Sequence, residues 1–126
     1  MIVKLLLVFV GGGLGSVARF LVSLFVPKVR LSLFSIPLST LCVNVLGCLA
    51  IGFLAACFAS QPSERAKLLL VGGFCGGFTT FSTFSLECIE YLKAADYASA
   101  SIYMIVSLSL CILSTLCGVY LSKLAM

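Results

Sequence analysis

Histidine and tryptophan are absent from the 126 residues of this chain, and only four residues are acidic. Without histidine there is no side chain that ordinarily titrates near neutrality and no imidazole to hold a metal. The four acids and eight basic residues together make 10% of the sequence, where an ordinary soluble domain carries about a quarter. Acid–base catalysis and a histidine-ligated metal centre are therefore poorly provided for. What abounds is apolar: 62% of the residues belong to the hydrophobic set, and the mean hydropathy is +1.27. So short a chain cannot enclose that much apolar surface within itself. Most of it must face lipid, which predicts an all-α integral membrane protein.

The few charges gather in gaps between apolar runs: Lys28 and Arg30 in one, Glu64, Arg65 and Lys67 in a second, Lys93 and Asp96 in a third, with Lys4 and Lys123 near the ends. Only Arg19, Glu87 and Glu90 fall within apolar stretches. The net charge of +4 thus reflects basic residues flanking spans, not a face for nucleic acid. The seven cysteines (Cys42, Cys48, Cys57, Cys75, Cys88, Cys111, Cys117) all lie inside apolar runs, odd in number and without a C-x-x-C pair. They read as small packing residues rather than as disulfides or a metal cluster.

A membrane-spanning helix needs about 20 mostly apolar residues, and four segments qualify, at about 2–26, 36–59, 67–92 and 98–124. Together they form one domain over residues 1–126. The first is too long for a signal-peptide core, carries Arg19 and lacks a cleavage site before Pro27, so it reads as a retained helix. Pro27, Pro37 and Pro62 sit in or beside the gaps, where proline starts or ends helices. Tyr91, Tyr97 and Tyr120 lie near span ends, as interfacial aromatics do. With four spans, Lys4, Arg65, Lys67 and Lys123 share one side of the membrane and Lys28, Arg30 and Lys93 the other: four against three. Orientation follows the Lys/Arg imbalance, so a near-even balance predicts insertion both ways up. Antiparallel copies could then pair about a two-fold axis in the membrane plane.

Polar chemistry is placed inside these spans. Gly11, Gly12, Gly13 and Gly15 make span 1 a surface of close approach, with Gly11 and Gly15 in GxxxG spacing. Arg19 lies about 10 Å inside the nearer span end, and reaches either a wet vestibule, an anion or, by snorkelling, the interface. In span 2, Thr40 and Asn44 share a helix face; Asn44 either bonds helices together or lines a polar path. Span 3 contains Gly72-Gly73-Phe74-Cys75-Gly76-Gly77-Phe78-Thr79-Thr80-Phe81-Ser82-Thr83-Phe84-Ser85. Four glycines followed by threonines predict a helix broken near mid-membrane, at Gly76 and Gly77. Freed carbonyls there are hard oxygen ligands suited to a small alkali cation. Phe81 and Phe84 are three residues apart, beside the hydroxyls of Ser82, Thr83 and Ser85. Aromatic edges are electropositive, so these groups suit a small hard anion, although ordinary packing also accounts for a phenylalanine pair. Tyr103, Ser107 and Cys111 form an i, i+4, i+8 stripe along span 4.

From Gly11 through Arg19, Thr40 and Asn44 to the Gly73–Ser85 run and Glu87, nearly the whole chain resembles the bacterial fluoride channels of the Fluc (CrcB) family. The resemblance implies an antiparallel, dual-topology homodimer in the bacterial inner membrane that passively exports cytoplasmic fluoride and confers fluoride resistance. It implies ring edges of Phe81 and Phe84 turned toward fluoride and Asn44 donating to the ion or orienting the rings. Thr40, Ser82, Tyr103 and Ser107 would continue a polar track, with Arg19 at an aqueous vestibule. The backbone carbonyls of Gly76 and Thr79 would hold a structural Na+ on the dimer axis. Cys111 occupies a place where family members carry a hydroxyl, and a thiol is a weaker donor.

Two other functions fit the sequence less well. A four-span multidrug–proton antiporter needs a carboxylate deep in its first span, and span 1 has none. A non-transporting assembly subunit leaves the Thr/Ser–Phe run and Asn44 without a purpose.

Overall fold

No proline falls between Met1 and Val26, and this stretch winds as one 24-residue helix, α1 (Ile2–Phe25). The computed structural model describes residues 1–26, 30–31 and 34–126; Pro27 and Lys28, expected to close and flank this span, lie outside the described residues. Beyond the gap, Arg30–Leu31 (β1) and Phe34–Ser35 (β2) form a two-residue antiparallel ladder, Arg30 opposite Ser35 and Leu31 opposite Phe34. All other regular structure among the described residues is helical. Helix α2 (Leu38–Ser60) begins directly after Pro37, which has no N–H to leave unpaired.

The third helical run starts at Glu64, earlier than hydropathy suggests, because Ser63 caps it by accepting from the Ala66 N–H. It proceeds through α3 (Glu64–Lys67), a π-helical stretch over Leu68–Cys75 and α4 (Gly76–Phe78), then resumes as α5 (Phe81–Lys93). Helix α6 (Tyr97–Ala125) opens on Asp96, which accepts from the Ser99 N–H at 3.1 Å. Hydrogen bonds from the Ser99 side chain and N–H hold the Asp96 carboxyl below its ordinary value. Four helical runs, Ile2–Phe25, Leu38–Ser60, Glu64–Lys93 and Tyr97–Ala125, are long and apolar enough to cross a membrane.

Two backbone-to-backbone contacts organise the bundle. Helix α1 lies against the π-helical stretch and α4 so closely that a Cβ on Gly11 would stand 2.1 Å from the Leu69 carbonyl oxygen. A Cβ on Gly15 would stand 2.2 Å from that of Phe74, and one on Gly77 2.3 Å from that of Gly12. Gly11/Gly15 on one side thus meet Gly73/Gly77 on the other, two GxxxG spacings face to face. On the far side α2 and α6 run parallel and in register. Thr40 and Tyr103 bond to the same carboxylate, and twelve residues further along each helix Gly52 meets Thr115, where a Cβ would stand 2.2 Å from the Thr115 oxygen. The small buried core, Phe84, Cys88 and Tyr103 with Ile36, Tyr91 and Met104 against it, sits between α5 and α6. Outside it, large apolar side chains stand open, Phe9 at 78% and Phe25 at 80% of their free area. Such a surface suits hydrocarbon and not water.

The third helix is broken, but not at the glycines. Gly76 and Gly77 keep helical geometry, whereas Thr79 (φ −76°, ψ 156°) and Thr80 (φ −148°, ψ 106°) are extended. Gly77 packs against Gly12 of α1 and stays helical despite its poor propensity, while Gly76 is helical on an open flank. Extended torsions suit β-branched threonine, and Thr80 caps the resuming α5 by accepting from the Thr83 N–H at 3.2 Å.

Candidate functional site

A chain break at membrane depth exposes backbone polar groups that must find partners. Asn44 supplies two: its Nδ2 donates to the Thr80 carbonyl at 3.1 Å, and its Oδ1 accepts from the Thr80 N–H at 2.8 Å. Arg19 supplies a third, its Nη1 donating to the Thr79 carbonyl at 3.3 Å. The guanidinium therefore reaches sideways to the break instead of snorkelling along its own helix. Ser16 Oγ approaches the Gly77 carbonyl at 3.4 Å, and Thr79 Oγ1 donates to that of Cys75 at 2.9 Å. The break is thus a fixed structure, tied to α1 by Arg19 and to α2 by Asn44.

Below the break, Glu87 on α5 joins the two parallel helices. Thr40 Oγ1 donates to its Oε1 and Tyr103 Oη to its Oε2, each at 2.7 Å. Tyr103 is fully buried; Phe84 lies against it with ring centroids 5.1 Å apart, and Phe81 lies 5.6 Å from Phe84. The ring pair is therefore seated on a tyrosine whose hydroxyl is held by a carboxylate.

Two cavities flank this centre. One, of about 250 Å³, is lined by Asn44, Cys48, Thr79, Phe81, Phe84, Ser107 and Cys111, among others. Ser107 is buried, and its Oγ is the one buried side-chain polar atom without a hydrogen-bond partner among the described residues. A lone hydroxyl in a mostly apolar chamber is a donor awaiting an acceptor. The other cavity, of about 290 Å³, is lined by Ser16, Arg19, Ser39, Thr40 and Thr83, with Phe20, Ser23 and Val43. It carries the Arg19 guanidinium and several hydroxyls.

The residues singled out from the sequence divide accordingly. Asn44, Thr79, Phe81, Phe84, Ser107 and Cys111 share the first cavity, Arg19 and Thr40 the second, and Tyr103 stands behind the rings. Ser82 is exposed and lines neither; its Oγ lies 3.4 Å from Thr80 Oγ1. Thr80 and Glu87 were not assigned to the site on sequence. Thr80 was legible as a helix cap by its place before Phe81-Ser82-Thr83, and Glu87 as a rare charge inside an apolar run.

The carbonyl pair considered for a cation is uneven. Gly76 is exposed, with nothing nearer than 4.0 Å to where a Cβ would stand. The Thr80 N–H, which would meet its carbonyl in an unbroken α-helix, is turned to Asn44. Thr79 offers its carbonyl too, but shares it with Arg19. The open flank and these hard oxygens fit a small alkali cation, and no group of three or more His, Cys, Asp or Glu converges among the described residues.

Comparison with known proteins gives the family. The family described as CrcB-like protein, Camphor Resistance (CrcB), matches residues 6–119. A curated relative from Azobacteroides pseudotrichonymphae genomovar. CFP2, named fluoride-specific ion channel FluC, is 43% identical over 110 residues, 86% of each chain. Proteins of the same name from Phocaeicola vulgatus and Gloeothece citriformis are 42% and 43% identical over 121 residues, covering 95% of this chain and 98% and 97% of theirs.

Proposed function

Because the chain belongs to the CrcB family, we propose that it is a fluoride-selective channel through which cytoplasmic fluoride leaves the cell passively. It is a multi-pass membrane protein, and its similar relatives are named for fluoride-specific conduction. The observation that carries the proposal is the cavity in which Asn44, the Phe81 and Phe84 rings and the unpartnered Ser107 hydroxyl come together. Phenylalanine edges and neutral donors offer an anion many weak contacts. A pore needs binding firm enough to replace hydration and weak enough to release the ion. A single buried cation would hold fluoride too long, and Arg19 is engaged with the Thr79 carbonyl instead.

The driving force follows from acid–base chemistry. Hydrogen fluoride is a neutral weak acid that crosses lipid and dissociates in the more alkaline cytoplasm. The inside-negative potential then expels the anion, at about 2.3 kcal/mol per charge per 100 mV. No coupled ion or catalytic step is needed. In this reading the second cavity is the aqueous vestibule that leads to the break, with Arg19 drawing anions in. Glu87 holds Tyr103, and through it Phe84, in place.

An antiparallel second copy completes this reading. Phe81 is 72% exposed although it lines the cavity, so the cavity has an unfinished wall. Gly72 and Gly76 leave an open flank along the same helix, where the two carbonyls, with their two-fold mates, would hold Na+ as a static brace. The four-against-three Lys/Arg balance permits both orientations. Reporter fusions at Met126 are accordingly expected on both faces of the membrane, and reporters on one face alone would contradict dual insertion.

The rings provide the sharper test. Phe81→Ile and Phe84→Ile each preserve apolar bulk and remove the electropositive edge. In proteoliposomes each is expected to cut fluoride efflux by about tenfold or more, the difference between a favourable site and none, while the oligomer still elutes as the parent does. Parent-like efflux from both variants would remove the rings from the pathway.

A further inference from the structure

The register of α2 and α6 repeats every four residues on both helices. Thr40 and Tyr103 meet at Glu87, Asn44 and Ser107 line one cavity, and Gly52 touches Thr115. Between the second and last of these pairs stand Cys48 and Cys111, which the register sets opposite each other across the helix pair, close enough to interact electrostatically, and which line the same cavity. Both are half-buried free thiols. Sequence spacing conceals the pair, because the two cysteines lie in different spans.

We propose that Cys48 and Cys111 form a two-thiolate binding site for one thiophilic d10 cation, of the class of copper(I), silver(I) and mercury(II), and that the bound metal obstructs the cavity shared with Ser107 and the phenylalanines. Soft sulfur ligands select such ions, and two facing thiols, with no group of three His, Cys, Asp or Glu converging among the described residues, suit their linear coordination. Binding displaces both thiol protons. With mercuric chloride the step is HgCl2 + 2 RSH → RS–Hg–SR + 2 H+ + 2 Cl−, forming two Hg–S bonds without change of oxidation state. The mercury bis-thiolate is neutral, so it buries no net charge and obstructs by bulk. The silver or copper(I) complex is an anion and would also repel fluoride. Ser107 is one helical turn from Cys111, so the metal would stand beside the cavity's unpaired donor. Obstruction rests on the channel reading; binding does not.

The experiment combines intact mass and flux on the purified, reconstituted protein, with mercuric chloride as probe. After treatment and washing with a monothiol, which strips singly bound mercury more readily than a bridged ion, the parent is expected to retain one mercury per subunit. Its fluoride efflux is expected to fall by about tenfold or more, as for a plugged pore, and excess dithiol is expected to restore it. Cys48→Ser and Cys111→Ser should each lose the retained mercury, and each should conduct equally with and without it. Cys57→Ser should behave as the parent. No retained mercury in the parent, or equal retention in both single variants, overturns the site. Retained mercury with undiminished efflux overturns the obstruction. Absence of efflux before metal is added contradicts the channel reading alone, since the retained mass still decides the site.

Discussion

Gly15→Val is expected to abolish the folded subunit. At that position even a Cβ would stand 2.2 Å from the Phe74 carbonyl oxygen, 2.8 Å from the Phe78 nitrogen and 3.0 Å from the Phe74 carbonyl carbon. All three are backbone atoms, so no side chain can swing aside. Overpacking in an adaptable core costs about 1–3 kcal/mol; here α1 must separate from the third helix over several turns, and the loss is expected to exceed that range. Helix separation in lipid is not opposed by a hydrophobic effect, because hydrocarbon accepts either face. The close glycine contact therefore carries most of the association, and its loss is not buffered. The measurement is the yield of monodisperse protein after detergent extraction. Gly13→Ala, where a Cβ meets nothing within 4 Å, is the matched control and should extract as the parent does. A Gly15→Val protein that extracts and melts like the parent would contradict the packing of α1 described here.

Asn44→Leu is expected to damage function more than any other single change that leaves the bundle assembled. The leucine fills similar space but strands the Thr80 N–H and carbonyl, which Asn44 now satisfies. Each stranded group costs about 1–3 kcal/mol when buried. The extended Thr79–Thr80 segment would seek other partners, and Phe81 and Phe84, which follow immediately, would shift with it. Fluoride efflux should fall by about a hundredfold, since about 2.7 kcal/mol of lost positioning corresponds to that factor, and the melting midpoint should drop. Asn44→Asp is the informative companion: it keeps an acceptor for the Thr80 N–H, loses the donor to the carbonyl and adds a negative charge beside an anion path. It should unfold at a temperature between leucine and parent and conduct no better than leucine. If both variants conduct as the parent does, Asn44 is helix glue and nothing more.

Much of the fold was legible from the apolar runs, because lipid imposes a length and a polarity that few sequences meet by accident. The GxxxG of Gly11 and Gly15 announced a close approach, although not that Gly73 and Gly77 would answer it. The helix break was legible in kind and misplaced in position. Glycine propensity pointed to Gly76 and Gly77, but Gly77 packs on Gly12 and both stay helical, and the break lies at Thr79 and Thr80, where Asn44 ties it. Asn44 had two readings on sequence, as helix glue or as lining for a polar path; in the structure it ties the break, and it also lines the cavity that we propose as the anion path. What no single span could reveal was pairing between spans. Glu87 receiving Thr40 and Tyr103, and Cys48 meeting Cys111, depend on the register of two helices that lie far apart in sequence.

The measurement that tests the central claim most directly is anion efflux from liposomes containing the purified protein, loaded with both fluoride and chloride, under a potassium-set voltage. A fluoride-selective channel discharges the fluoride and leaves the chloride inside. Equal loss of the two anions, or retention of both by demonstrably folded protein, would contradict it.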